Sequence, residues 1–203
     1  MMGEKQVPKE PDPRTAFSPY KLGDDEMKAW LSSALGQCKG GYFNIMDELG
    51  LKWGMAAVKG LEQKGYRALV VTHRNPVGLD KEFGGCEGRR YIYVTGAETP
   101  EGVKAVHPGE LEYIYKEAGD LIRECQKDGK TAVIYFELAQ IITHNSFESL
   151  AKLAGRLYEK AQVCAENAPV MIMSVNTKML EVKELETLRS SFTYDGSFLP
   201  SPP

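Results

Sequence analysis

The sequence lacks the long apolar runs and paired cysteines that mark membrane-spanning and disulfide-built proteins. In its 203 residues no stretch approaches the ~18 consecutive apolar residues that a membrane-spanning helix needs. Its four cysteines lie dozens of residues apart, and a chain of this length can bury a core without disulfides. No charged segment followed by an apolar one, as in a secretion signal, opens the chain. The sequence therefore predicts a soluble cytoplasmic protein with reduced, mostly buried thiols.

The sequence also lacks an excess of charge of either sign. It has 25 Lys+Arg against 28 Asp+Glu, and the formal net charge is -3. Such a balance offers no broad attraction for nucleic acid or for anionic lipid. We therefore expect neither membrane contact nor a dedicated nucleic-acid function.

Strong catalytic and metal-binding motifs are missing as well. No C-x-x-C, H-E-x-x-H or G-x-S-x-G pattern and no EF-hand loop occurs, which removes the usual zinc, calcium and serine-hydrolase signatures. Cys86 stands in the glycine-rich stretch GGCEG and is the cysteine expected to be exposed, but no neighbouring base supports it as a nucleophile. We predict no catalytic residue, no metal site and no cofactor.

Short apolar runs alternate with longer amphipathic segments along the chain. Strands are predicted at residues 42–46, 68–72, 90–95, 131–136 and 169–175. Helices are predicted at residues 24–35, from 51 up to Gly65, and at 109–125, 145–161 and 181–188. Residues 78–88, rich in glycine and charge, are expected to form a surface connection. Asn145, with Glu148 three residues on, is expected to cap the helix that follows it, and His107 and His144 are expected to neighbour helix starts.

The predicted strands are apolar without alternation, which is typical of strands buried on both faces. Together with the alternation of strand and helix, this predicts an α/β fold of three α/β/α layers around a mostly parallel sheet of five strands or slightly more. Residues 1–24 contain several prolines and are expected to be a flexible leader. Residues 25–192 are expected to form a single domain, and residues 193–203 a tail.

Polar residues collect where the predicted strands end, among them Thr72, Thr95 and Ser174. His73, Arg74 and Asn75 follow one strand and Glu137 follows another. Ligands of open α/β sheets bind at the carboxyl ends of the strands, and His73 with Arg74 could hold an anion there. A solvated turn before Pro76, and a polar strand end at Glu137, account for the same residues without a ligand.

Tyr91 and Tyr93 alternate along one predicted strand, so they share one face of it. An exposed pair of this kind could receive a partner or a base. Core packing is the simpler explanation of the two rings.

Several stretches of the chain resemble an archaeal family known as domain of unknown function 835. They are residues 68–76 (ALVVTHRNP), 132–137 (AVIYFE), 145–150 (NSFESL) and 180–188 (LEVKELETL). The resemblance runs from about residue 40 to residue 192. These stretches identify a fold and a lineage, and none of them is a catalytic motif.

That family in turn is similar to the RecA-like and KaiC-like P-loop ATPases, which implies a RecA/KaiC-like sheet. The phosphate-loop position then falls at residues 46–54 (MDELGLKWG). A working loop needs glycines, a lysine and a hydroxyl residue, whereas this stretch has Asp47 and Glu48 and places Trp53 after Lys52. The resemblance therefore implies a degenerate nucleotide site, of which Asp47, Glu48 and Lys52 are the remaining candidate contacts.

These observations predict a non-catalytic regulatory or signalling module that acts through contacts with a protein partner. The alternative is a domain that binds a small ligand or a nucleotide at the carboxyl edge of the sheet, through His73, Arg74 and Glu137. A hydrolase or transferase on the same edge is a third hypothesis. Whether the chain forms a homodimer stays open.

Overall fold

The computed structural model describes residues 42–45, 50–97, 99, 104–164, 167–175 and 179–190. In this part of the chain six parallel strands form one sheet in the order β1-β6-β5-β2-β3-β4. The strands are β1 (Tyr42–Ile45), β2 (Arg67–Thr72), β3 (Arg90–Val94), β4 (Ala105–Val106), β5 (Ala132–Glu137) and β6 (Val170–Val175). The predicted parallel sheet is confirmed. The predicted leader, the helix at 24–35 and the tail lie outside the described residues.

Six helices accompany these strands in the described ranges. They are α1 (Gly50–Glu62), α2 (Pro76–Phe83), α3 (Leu111–Lys127), α4 (Ala139–His144), α5 (Phe147–Gln162) and α6 (Val182–Ser190). Four of them, α1, α3, α5 and α6, were expected from the apolar periodicity. None of the helices in these ranges is long and apolar enough to cross a bilayer.

The sheet is covered on both faces, so each face has its own hydrophobic cluster. The cluster under α1 and α2 includes Met55, Val58, Leu79, Val70, Val133 and Ile172. The cluster under α3, α5 and α6 includes Ile114, Leu121, Leu157, Leu188, Val71, Ile134 and Phe136. Neighbouring residues of one strand contribute to opposite clusters, which is why the strands are apolar without alternation. The three-layer α/β/α architecture is thus confirmed.

The prediction of a surface connection at 78–88 is wrong for its first half, which belongs to α2. The Asn75 Oδ1 accepts a hydrogen bond from the Val77 N–H at 2.9 Å, and Pro76 occupies the first turn of the helix. Leu79 is buried against α1. A cap, a helix-starting proline and one apolar contact therefore override the glycine and the charges of this stretch.

The predicted cap of α5 is also wrong by one residue. The Ser146 Oγ accepts a hydrogen bond from the Ser149 N–H at 3.2 Å. The Asn145 side chain instead donates to the carbonyl oxygens of Pro108, at 2.9 Å, and Ile141, at 2.8 Å. Asn145 thereby ties the segment before α3 to α4, a short helix that carried no periodic signal.

The two histidines of this region lie side by side. His107 accepts a hydrogen bond from the Gly109 N–H through its Nδ1, at 3.2 Å, just before α3. His144 is the last residue of α4 and lies two positions before Ser146, the cap of α5. Their ring centroids are 5.8 Å apart, edge to face. Both side chains are exposed.

A charge network centred on the buried Arg89 side chain joins α1, α2 and β3. The Arg89 guanidinium, 1% exposed, donates from Nε and Nη2 to the two carboxylate oxygens of Glu62, at 2.8 and 2.6 Å. Its Nη1 donates to Asp80 at 3.0 Å, to the Gly84 carbonyl at 3.1 Å and to the Tyr91 hydroxyl at 3.0 Å. The bond to Glu62 raises the pKa of Arg89 despite burial, and burial raises the pKa of Tyr91 to about 12. Through the Gly84 carbonyl, this network also fixes the start of the glycine-rich loop at residues 84–88.

Candidate functional site

A row of polar residues lies at the carboxyl edge of the sheet. Thr72 ends β2, Glu137 ends β5, and Ser174 of β6 is paired in register with Glu137. The residues two positions earlier in these strands pack in the cluster under α1: they are Val70, Tyr135 and Ile172. Because side chains of a strand alternate between its faces, the three polar residues point to that same side.

The three side chains of the polar row are buried even though they are polar. Thr72, Glu137 and Ser174 are 0%, 8% and 8% exposed, and by whole-residue exposure they are the buried polar or charged residues of the described ranges. Buried polar groups require partners, since an unpaired one costs free energy. The contacts of Glu137 are therefore the centre of the site.

Glu137 is surrounded by groups from the end of β2 and from the turn that follows it. The Thr72 hydroxyl donates to Glu137 Oε2 at 2.6 Å, and His73 Nδ1 lies 3.2 Å from the same oxygen but outside hydrogen-bonding geometry. Arg74 Nε lies 3.8 Å from Oε1. The Arg74 backbone N–H donates to the Thr72 oxygen at 3.0 Å, which fixes the turn that carries both basic residues. One carboxylate oxygen thus accepts a hydrogen bond from Thr72, and the two basic side chains lie beside the carboxylate without a hydrogen bond to it.

The electrostatics of this cluster favour the charged form of Glu137. Burial alone raises the pKa of its carboxyl group, but the close His73 imidazole, the Thr72 hydrogen bond and the Arg74 charge together outweigh burial, and the pKa is lowered from its ordinary value of 4.5. Below it in the strand, burial strongly raises the pKa of Tyr135, and Ser174 only partly opposes this rise. The site therefore presents one carboxylate above a neutral phenol.

This pKa shift makes a testable prediction about acid stability. A carboxyl group with a lowered folded-state pKa contributes stability that is complete above its unfolded pKa and is lost as the pH falls through the folded value. From about pH 7 to about pH 3, we expect the free energy of unfolding of the wild type to approach that of Glu137→Gln. Urea unfolding at several pH values measures this difference. Glu186→Gln, on the exposed face of α6, is the control, and a Glu137→Gln deficit that does not change with pH would contradict the prediction.

The structure brings together three of the sequence-predicted site residues, His73, Arg74 and Glu137. The Asn75 side chain caps α2 and does not take part in this cluster. Asp47 and Glu48 lie outside the described residues. Lys52 lies in the first turn of α1.

Strand pairing adds Tyr93 to the row and gives the backbone register of Asn44. Tyr93 of β3 is paired in register with Thr72, and Asn44 of β1 is paired with Ser174. Sequence reasoning placed Thr72 and Ser174 at this edge, but it did not predict the hydrogen bond from Thr72 to Glu137. The sequence does show a polar residue at the end of each apolar strand. These residues indicate a contact only once it is known which strands are neighbours in the sheet.

The described ranges contain no group of three or more His, Cys, Asp or Glu side chains placed to hold a metal ion. Cys125 and Cys164 are buried free thiols, and burial raises the pKa of each. Both are consequently poor nucleophiles. Cys86 is free and exposed in its loop, as predicted, and Cys38 lies outside the described residues.

The model of a family described as protein of unknown function (DUF835) matches residues 52–192. The chain belongs to the DUF835 family. The matched part of the DUF835 chain begins in α1 and contains the whole Thr72, His73, Arg74 and Glu137 cluster. It begins later than the predicted resemblance, which started near residue 40. Asp47 and Glu48 therefore precede the matched part.

Among solved structures, the DUF835 chain is similar to an arginase from Bacillus caldovelox. The TM-score is 0.50 and the sequence identity 8%, and the alignment covers 98% of this chain and 82% of the arginase. At this identity the likeness concerns the α/β fold alone. No curated protein sequence matches the chain.

Proposed function

We propose that this DUF835 protein is a non-catalytic, cytoplasmic regulatory or signalling module that acts through protein contacts and contains a degenerate nucleotide site. The observation that carries the proposal is the set of side chains around the Glu137 carboxylate. P-loop enzymes use a carboxylate in this position to bind magnesium or polarise water. Here the Thr72 hydroxyl donates to Oε2, and His73 Nδ1 and Arg74 Nε lie 3.2 and 3.8 Å from the carboxylate, so the protein's own side chains surround it.

A distant relation to archaeal proteins of the RecA-like and KaiC-like P-loop type is part of the same proposal. The order of elements supports it, because β1 precedes α1, β2 follows, and an acidic residue ends β5. At the phosphate-loop position, residues 46–54, the sequence does not have the glycine pattern of a working loop and carries Asp47 and Glu48. Two carboxylates would repel a triphosphate where backbone N–H groups should attract it.

The proposal predicts that the protein does not turn over nucleoside triphosphates. We expect ATP and GTP hydrolysis in the presence of Mg²⁺ to equal the buffer rate for both the wild type and Glu137→Gln, measured as released phosphate. Arg67→Gln is the control variant, because Arg67 lies at the opposite end of β2 and pairs with Asp128 at 2.6 Å. Hydrolysis that is present in the wild type and in Arg67→Gln but lost in Glu137→Gln would overturn the non-catalytic role.

Protein contacts are tested by affinity purification from native lysate, with sedimentation of the purified chain to establish whether it is a homodimer. We expect a specific partner to be recovered. Failure to recover one, together with measurable turnover of phosphoesters, would favour a hydrolase or transferase instead.

A second candidate function, binding of a small ligand at the carboxyl edge, is favoured by the position of Arg74. Its side chain is 50% exposed and lies 3.8 Å from Glu137, a distance too long for a hydrogen bond. The guanidinium therefore keeps donors that a ligand could use.

A further inference from the structure

Tyr93 extends the polar row beyond β2, and the hydrophobic clusters of the described residues do not include its ring. It is paired in register with Thr72. Tyr91, two residues earlier, packs against the cluster under α1 and α2, so the Tyr93 side chain points to the same face of the sheet as Glu137. Tyr93 is partly exposed, and it is not among the members or packing neighbours of either hydrophobic cluster formed by the described residues.

The two basic residues of the site follow directly after Thr72, the residue with which Tyr93 is paired. His73 and Arg74 directly follow Thr72, and the Arg74 backbone is held to the Thr72 hydroxyl. The Arg74 side chain reaches Glu137, which is one strand further away from Tyr93. Two strand spacings put the Cα atoms of Tyr93 and Glu137 about 10 Å apart. The Arg74 guanidinium lies within this interval, 3.8 Å from the Glu137 carboxylate, so a ring at Tyr93 needs to extend its charged group only as far as Arg74.

We propose that Tyr93 and Arg74 form a binding site for a small aromatic anion, that is, an aromatic ring that carries a phosphate or carboxylate group. The ring would stack on Tyr93, and the anionic group would accept charge-assisted hydrogen bonds from the Arg74 guanidinium, with the His73 imidazole beside it. The inference rests on the proposed non-catalytic role of Glu137. In that role Glu137 attracts the Arg74 guanidinium across 3.8 Å without a hydrogen bond, so the donors of Arg74 are available to the ligand.

Calorimetric titration of the full chain tests this site with phenyl phosphate and adenosine 5′-monophosphate, against inorganic phosphate and adenosine as half-ligands. We expect at least one ring-bearing phosphate to bind about tenfold more tightly than either half-ligand, since both contacts then contribute. Tighter binding of the nucleotide would indicate a nucleotide as the natural ligand, and equal or tighter binding of phenyl phosphate a simpler aromatic acid. If no ring-bearing phosphate binds more tightly than inorganic phosphate, the proposal is wrong.

Variants assign the binding to the two side chains. We expect Tyr93→Leu to weaken binding of the ring-bearing phosphate about tenfold, Tyr93→Phe to retain it, and Arg74→Gln to weaken it about tenfold. Arg67→Gln, at the other end of the same strand, should leave it unchanged, and thermal melting shows whether each variant is folded. Equal affinities of Tyr93→Leu and Tyr93→Phe, or an equal loss in Arg67→Gln and Arg74→Gln, would overturn the site.

The two proposals fail in different ways. ATP hydrolysis that depends on Glu137 would overturn the non-catalytic role, whatever the titrations show. Absence of ring-anion binding in a protein that also hydrolyses nothing would overturn the inferred site alone.

Discussion

Replacing Arg89 with alanine should lower the free energy of unfolding by about 3–5 kcal/mol, because it leaves the Glu62 carboxylate buried without its cation. The side chain of Glu62 is 4% exposed and accepts both donors of the guanidinium fork. The same change removes a donor from the Gly84 carbonyl. Urea unfolding followed by circular dichroism measures the loss.

The adjacent residue is a matched control. Arg90 forms an ion pair with Glu124 in which both side chains are 44% exposed, and an exposed pair contributes about 1 kcal/mol or less. Arg90→Ala should therefore cost much less than Arg89→Ala. Equal losses from the two changes would show that burial of the Arg89 network is not what stabilises this part of the fold. Replacing Arg89 and Glu62 together by apolar residues of similar size should recover part of the loss.

The Gly54→Ala variant should be destabilised by about 1–3 kcal/mol, since the added methyl group overpacks a filled interface. A Cβ at this position would lie 2.1 Å from Cε2 of the Tyr135 ring. That ring is completely buried in β5, so it has no free space to move into. Glycine therefore sets how closely α1 approaches the sheet. Chemical denaturation of the variant measures the cost.

Gly60 is the control in the same helix, because a Cβ there would meet nothing within 4 Å. Glycine is less favourable than alanine in a helix by up to about 1 kcal/mol, so Gly60→Ala should be neutral or stabilising while Gly54→Ala destabilises. In a Tyr135→Leu background the cost of Gly54→Ala should shrink, since the clashing ring is gone. A Gly54→Ala cost that is the same in both backgrounds would contradict this explanation.

Those elements that bury a continuous run or stripe of apolar residues were predictable from the sequence, and those held by single contacts were not. Residues 68–72 and 131–136 appear as strands within one residue of their predicted ends, because burial on both faces leaves an unbroken apolar run. Helix α2 buries few side chains, among them Leu79, and depends on the Asn75 cap. Strand β4 has two residues, too few for any periodic signal.

The candidate site was also predictable from the sequence only in part. Parallel strands end at one edge of a sheet, so the sequence could place His73, Arg74 and Glu137 on that edge from the positions of the strands alone. It could not show that they touch, because contact depends on strand order. Glu137 is separated from Thr72 by 65 positions, and they meet because β5 pairs directly with β2.

The sequence by itself determined the balance of charge, the scattered cysteines, the α/β alternation and the polar strand ends, since each of these is a property of composition or of local spacing. The tertiary structure alone decided which polar groups became partners. It engaged Glu137 with the turn after β2 and Arg89 with Glu62, 27 positions away. Pairings over such separations are set by how the layers pack, and no local pattern encodes them.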